Sequence, residues 1–408
     1  MSHYPPLSKL TQKPVWPSFD LLYSSDLSNQ DKSQLNLPLL DKKNMKRKIH
    51  FILCGLVIAL SASAQFHRLA LPQSSNQVYE KQILGVTEIV VEYASPKVRD
   101  REVWNDNDIV PQKGDPIPWR VGANMNTTIS FSTEVKLNGQ TLKAGKYGLH
   151  MIPDQDSFEI LFAHNNNLWG SYYLDRAEDV TLTINSKSET CPFSEDLDFE
   201  FSQTSDREMT IAVEWADKRI PFTVSVDLEE TVVSSLRSEL RGIDTYRWEA
   251  WNDAAMWCYN HDVNLEEALE WAKRSISGGY GGFAANGNAS NHLTKARLEK
   301  KLGKVNDYQE SIAAMLELDF SASESNSMVS YFIGEKDFEA ALSLAEKAGK
   351  KFSDVWFVQL NLGVAYYGNG QQKKAIKALE KAKDQAPDSW RERVVSVFDR
   401  IKAGTLEL

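Results

Sequence analysis

The stretch from Trp356 to Pro387 constrains this chain more than any other. Leu362-Gly363 is followed by Tyr366, and then by Ala375, Leu379, Ala382 and Pro387. Two helical periods separated by a short break place the small residues at one helix crossing and the large ones around it. Backbones can approach only where side chains are small, so Gly363, Ala375 and Ala382 mark the contact, while Trp356, Leu362, Tyr366 and Leu379 fill the gaps. Pro387 stops the second helix.

The pattern recurs. Ala341, Ala345 and Ala348 stand 34 residues before Ala375, Leu379 and Ala382. Ser311, Met315 and Leu318 occupy the same places behind Leu302-Gly303. Ala268, Ala272 and Ser275 form another copy, with Trp251, Ala255 and Tyr259 on its first helix. In spacing and residue type these copies resemble the tetratricopeptide repeat, which implies a helical solenoid that binds polypeptides. The Gly-rich run Gly278 to Gly282 reads as a connection between repeats, and the amphipathic segment Ser389 to Ile401 as a cap. The repeats and cap are expected over 247–408. A helical linker is expected at 230–246, because Val232, Val233, Leu236, Leu240 and Ile243 recur at helical spacing.

Earlier in the chain the period is two. Ile89 to Tyr93, Thr127 to Val135, Lys146 to Ile152, Phe158 to His164, Asp179 to Asn185, Phe199 to Gln203, Met209 to Trp215 and Phe222 to Asp227 read as short strands. Asn138-Gly139 is a two-residue hairpin signal. Strands without intervening helices predict an antiparallel β-sandwich over 66–229, with a closed barrel as the other option. The expected fold class is therefore an antiparallel β-sandwich followed by a tetratricopeptide-like helical solenoid.

Several blocks here resemble the secreted bacterial family known as domain of unknown function 2911. They include Val91 to Pro96, Trp119 to Asn124, Leu142 to Leu149, Ile152-Pro153, Trp169-Gly170 and Asp175 to Val180. The resemblance implies an exported protein and names no reaction. The Glu102 to Pro118 stretch is longer and more acidic than the family pattern.

At the start of the chain, Met45-Lys46-Arg47-Lys48 precedes the apolar run Ile49 to Leu60 and the small residues Ala62-Ser63-Ala64. That is the layout of a secretory signal peptide over 45–64, too short for a comfortable bilayer span. Residues 1–44 have no apolar period and read as an upstream or disordered extension. The expected location is periplasmic or extracellular, with membrane attachment only through an uncleaved signal. The net charge of −10 would become −14 after cleavage. Either value argues against nucleic acid as partner.

The site candidates divide between the two regions. On the sandwich, Arg120 offers a planar fork for a carboxylate, Asn124 an amide and Trp119 a stacking face. His164, Trp169 and Asp175 lie on a polar-aromatic loop that also suits a glycan. On the solenoid, Asn252, Gln359 and Asn361 are taken as exposed first-helix contacts for a protein or peptide. The histidines are read as surface or loop residues, with no metal-ligand spacing. Cys191 and Cys258 are read as separate buried thiols, with one interdomain disulfide as the alternative. No cofactor or metal is expected, and the chain is read as a non-enzymatic scaffold. The alternative is a carbohydrate-active or hydrolytic site on the sandwich.

Overall fold

A computed structural model describes residues 72–106 and 108–408. The expected extension at 1–44 and signal at 45–64 lie outside the described residues.

Among the described residues, ten antiparallel strands form two facing sheets. The larger runs β1 (Asn76–Leu84), β2 (Thr87–Ser95), β3 (Thr127–Phe131), β6 (Gly145–Asp154), β7 (Ser157–Ala163) and β8 (Val180–Lys187). The smaller runs β5 (Gln140–Leu142), β4 (Val135–Leu137), β10 (Glu208–Ser225) and β9 (Glu189–Ser205). Alternate residues of both sheets meet in one core that includes Ile89, Val91, Ile129, Leu149, Met151, Phe162, Leu137, Phe199, Ile211 and Phe222. Asn138 and Gly139 both take positive φ in the β4–β5 turn, at 45° and 84°, as a type I′ hairpin needs.

Two sequence expectations need correction. Met209–Trp215 and Phe222–Asp227 are not separate strands. All but Val226 and Asp227 lie in the single strand β10, where bulges around Ala216, at φ 50°, break the alternation that would mark one strand. Thr127–Val135 is interrupted and passes from one sheet to the other between β3 and β4. The acidic 102–118 loop turns its apolar side inward. Val103, Trp104 and Val110 join the core, and Trp104 Nε1 donates to the Trp215 carbonyl at 3.2 Å.

Helix α1 (Arg176–Asp179) is a single turn before β8. After the sheets comes α2 (Leu228–Glu239), N-capped by Asp227, whose Oδ1 accepts from the Glu230 amide at 3.1 Å. Val232, Val233 and Leu240 are buried as expected, but Ile243 falls in a following 3₁₀ turn and is exposed. Gly242 intervenes, and the helical face ends before it.

The remaining helices form four antiparallel pairs and a cap. They are α3 (Trp248–His261) with α4 (Leu265–Ser277), α5 (Ala289–Lys301) with α6 (Val305–Glu317), α7 (Ala322–Gly334) with α8 (Phe338–Lys351), α9 (Trp356–Gly368) with α10 (Gln372–Gln385), and α11 (Asp388–Ala403). Ala268, Ala272, Ala341, Ala345, Ala375 and Ala382 are all essentially inaccessible at the crossings. A Cβ on Gly363 would lie 2.5 Å from Leu379 Cγ. Each turn within a pair contains a left-handed residue: Asp262 and Asn264, Gly303, Lys336 and Gly370. Copy two departs from the pattern. Its crossing holds the fully buried Glu299, paired with Lys295 at 2.6 Å and accepting from Ser311 Oγ at 2.6 Å. A small residue at position 311 leaves room for that carboxylate.

Candidate functional site

Two places gather side chains in ways that packing alone does not require. The first is at one end of the sandwich, where segment 120–126 lies against segment 164–175. Met125 and Trp169 form an isolated antiparallel bridge. The Asn126 amide donates to the Leu168 carbonyl at 3.0 Å, and the Leu168 amide to Asn126 Oδ1 at 2.8 Å. The Gly170 amide donates to the Asn124 carbonyl at 3.1 Å, and Arg120 Nη1 reaches the same carbonyl at 2.9 Å. Arg120 sits 5.4 Å from the centre of the Tyr172 ring, with Nη2 3.4 Å from its hydroxyl.

Arg120, Asn124 and Trp169, chosen from sequence, therefore do come together. Trp119 does not join them. It is 3 % exposed and stacks on Trp215 with ring centres 6.0 Å apart, with Trp104 edge-on at 5.5 Å. It belongs to the core because strand pairing with Met151 turns it inward. Asp175 caps α1, its Oδ1 accepting from the amides of Ala177 and Glu178 at 2.9 and 3.3 Å. His164 is exposed at the start of the second segment.

His150 corrects the view of the histidines as surface residues. Leu149 and Met151 face the core, so alternation turns His150 to the outer face of the sheet, where segment 164–179 covers it completely. Its Nδ1 lies 2.7 Å from Ser171 Oγ, and its Nε2 has no protein partner. Burial lowers its pKa to about 4, against an opposing pull from Asp179. The imidazole is neutral at pH 7. Cys258 is buried as expected, and burial pushes its thiol up to about 11; Cys191 is only half-buried.

The second place is a groove of about 420 Å³ across the first helices of three repeats. Asn252 and Met256 of α3, Leu293, Thr294 and Arg297 of α5, and Ser327 and Met328 of α7 line it, with others. Arg297 Nη1 lies 3.5 Å from Met256 Sδ, and its guanidinium 4.8 Å from the Tyr331 ring centre. No carboxylate among the described residues forms an ion pair with it.

Asn252 lines this groove, but it and Gln359 are not exposed as expected. They are 6 % and 2 % accessible. Adjacent first helices pack closely enough to cover the inner part of each shared face. Asn361 is half-buried and donates to Asn326 Oδ1 at 2.9 Å, linking α9 to α7. Asn252 Oδ1 is buried with no partner. Arg297 and Met256 had no signal of their own in the sequence; only helix stacking brings them together.

A further cleft, of about 560 Å³, lies between the β3–β4 connection and α2. It is lined by hydroxyls and charges such as Ser132, Lys136, Glu230 and Ser234. No unpartnered buried side chain among the described residues faces it.

Residues 74–224 match the model of a family described as a protein of unknown function, DUF2911. No curated protein matches the chain. Among solved structures, the chain is similar to MamA from Desulfovibrio magneticus RS-1, at 17% identity over 38% of this chain and 93% of that one, with a TM-score of 0.26. It is also similar to YrrB, described as a TPR protein with an unusual peptide-binding site, at 17% identity over 41% of this chain and 82% of that one, with a TM-score of 0.28.

Proposed function

We propose that this chain, which carries a DUF2911 domain followed by a tetratricopeptide-like solenoid, is an exported scaffold that holds an extended polypeptide segment in its solenoid groove. The supporting observation is Asn252. A buried carbonyl oxygen without a donor costs roughly 1–3 kcal/mol, and here it stands beside the groove formed by α3, α5 and α7. The Oδ1 is closed to solvent, so a main-chain N–H of a bound strand would reach it only with a turn of the Asn252 side chain toward the groove. Met256 and Met328 supply adaptable apolar contact, and Thr294 and Ser327 supply hydroxyls. The export step rests on the signal-like residues 45–64.

The test uses the full chain carrying a photo-crosslinking side chain at Ser327 in the groove, or at Ser343 on α8 as control. Polypeptide adducts from an envelope fraction should form at 327 and not at 343. A synthetic copy of the captured segment should bind about tenfold more weakly to Asn252→Ala, while the free variant is no less stable than the parent. Equal adducts at both positions, or unchanged affinity in the variant, would refute the groove reading. Terminal sequencing of the secreted chain should begin at Gln65. A chain retaining Met45 to Ala64 would refute cleavage there.

A further inference from the structure

The segment pair at the sandwich end presents an unusual surface. Trp169, Tyr172 and Tyr173 are 59, 57 and 82 % exposed, and Met125 is 41 % exposed beside them. Single exposed aromatics are ordinary, but these four large residues lie on two short segments joined directly to each other. The backbone under them is fixed by the Met125–Trp169 bridge and the paired hydrogen bonds of Asn126 and Leu168. The rings are therefore held outward by an ordered frame and are not loose ends of a disordered loop.

Arg120 is built into the same frame. Gly170 takes φ 69°, and a Cβ there would come within 2.9 Å of the guanidinium carbon. Glycine is thus what lets the guanidinium lie under Tyr172. Arg120 forms no ion pair with any carboxylate among the described residues, although acidic residues outnumber basic ones in the chain, 56 to 46. The exposed amide of Asn124 lies next to it. Flat aromatic faces stack on the C–H faces of pyranose rings, amides bond hydroxyls, and a guanidinium binds a carboxylate in a fork. Met125 is the single aliphatic side chain of this set, which is otherwise aromatic rings, an amide and a guanidinium.

We propose that this surface binds a carboxylated saccharide. Trp169 and Tyr173 stack on sugar rings, and Arg120 takes the carboxylate. Gly170 is a positioning residue that acts through Arg120.

The experiment is calorimetric titration of the full chain with oligogalacturonate, alginate oligomers and hyaluronan oligomers, alongside the methyl ester of the first. At least one acidic oligomer should bind. Trp169→Ala and Tyr173→Ala should each weaken binding about tenfold at unchanged melting temperature. The ester should bind more weakly than the acid, and Gly170→Ala should reduce that preference without abolishing stacking. Binding by none of the three polymers overturns the proposal, as does wild-type affinity in both aromatic variants. Equal affinity for acid and ester overturns the assignment of Arg120. A polypeptide crosslinked through position 173, with no polymer bound, would assign the surface to a protein instead.

Discussion

Gly363→Ala should destabilise the last repeat, even though alanine is the better helix former. The added methyl would lie 2.5 Å from Leu379 Cγ, 2.9 Å from Leu379 Cδ2 and 3.2 Å from the Ala375 carbonyl oxygen. Ordinary contact needs about 3.4–4 Å, so α9 and α10 must part by most of an ångström or Leu379 must leave its rotamer. Overpacking of this kind costs about 1–3 kcal/mol, and alanine returns up to about 1 kcal/mol in helix propensity. Subtracting that return from the middle of the overpacking range leaves a net expected loss of about 1 kcal/mol. Because each repeat is supported by its neighbours, the loss should appear first as local opening of α9 to α11. Hydrogen exchange would read that opening, and urea unfolding the total. Gly334→Ala is the control, since nothing lies within 4 Å of its Cβ. It should lose no stability and gain up to about 1 kcal/mol from helix propensity. In a Leu379→Ala background the Gly363→Ala penalty should shrink by at least about 0.5 kcal/mol, because the obstruction is gone. A Gly363→Ala chain as stable as the parent, or strict additivity with Leu379→Ala, would refute the close-contact argument.

His150 predicts a pH dependence. Its folded pKa of about 4 lies below the ordinary 6.5, so the unfolded chain binds more protons between those values. Stability from this site is present above about pH 6.5 and is lost as pH falls towards 4, by at most roughly 3 kcal/mol. His150→Gln should flatten that part of the curve in urea titrations from pH 4.5 to 7, and parallel curves would contradict it. Trp119→Ala should cost about 3–5 kcal/mol and collapse the near-ultraviolet circular dichroism of the three-tryptophan cluster; a small loss with that signal retained would count against Trp119 as a core residue. Cys258 should resist thiol reagents in the native state and react only on unfolding, whereas half-buried Cys191 should react first; fast native labelling of Cys258 would show that its burial is overstated.

The repeat was legible because its information is local. Alanine and glycine at fixed offsets decide where two neighbouring helices can touch, and no distant residue can alter that requirement. The same holds for Asn138-Gly139, whose turn depends only on two backbone conformations. Strand count was less legible. The bulge at Ala216 interrupts the alternation, and a break of that kind reads as a turn.

Side-chain identity alone does not say on which face of a sheet or helix a residue lies, nor what another part of the chain will lay over that face. Trp119 and Trp169 look equivalent as residues near turns. Pairing with Met151 puts the first in the core, and pairing with Met125 leaves the second in solvent. Asn252 and Gln359 read as first-helix surface residues until neighbouring repeats cover them, and His150 until segment 164–179 does. Arg120 and Tyr172 are 52 residues apart in sequence and meet only through strand pairing. The sequence by itself settled the repeat and the sheet region, because short-range sterics and hydrophobic period are enough for those. The two candidate surfaces were decided by tertiary structure, because each depends on contacts between segments whose separation in sequence carries no signal of their meeting.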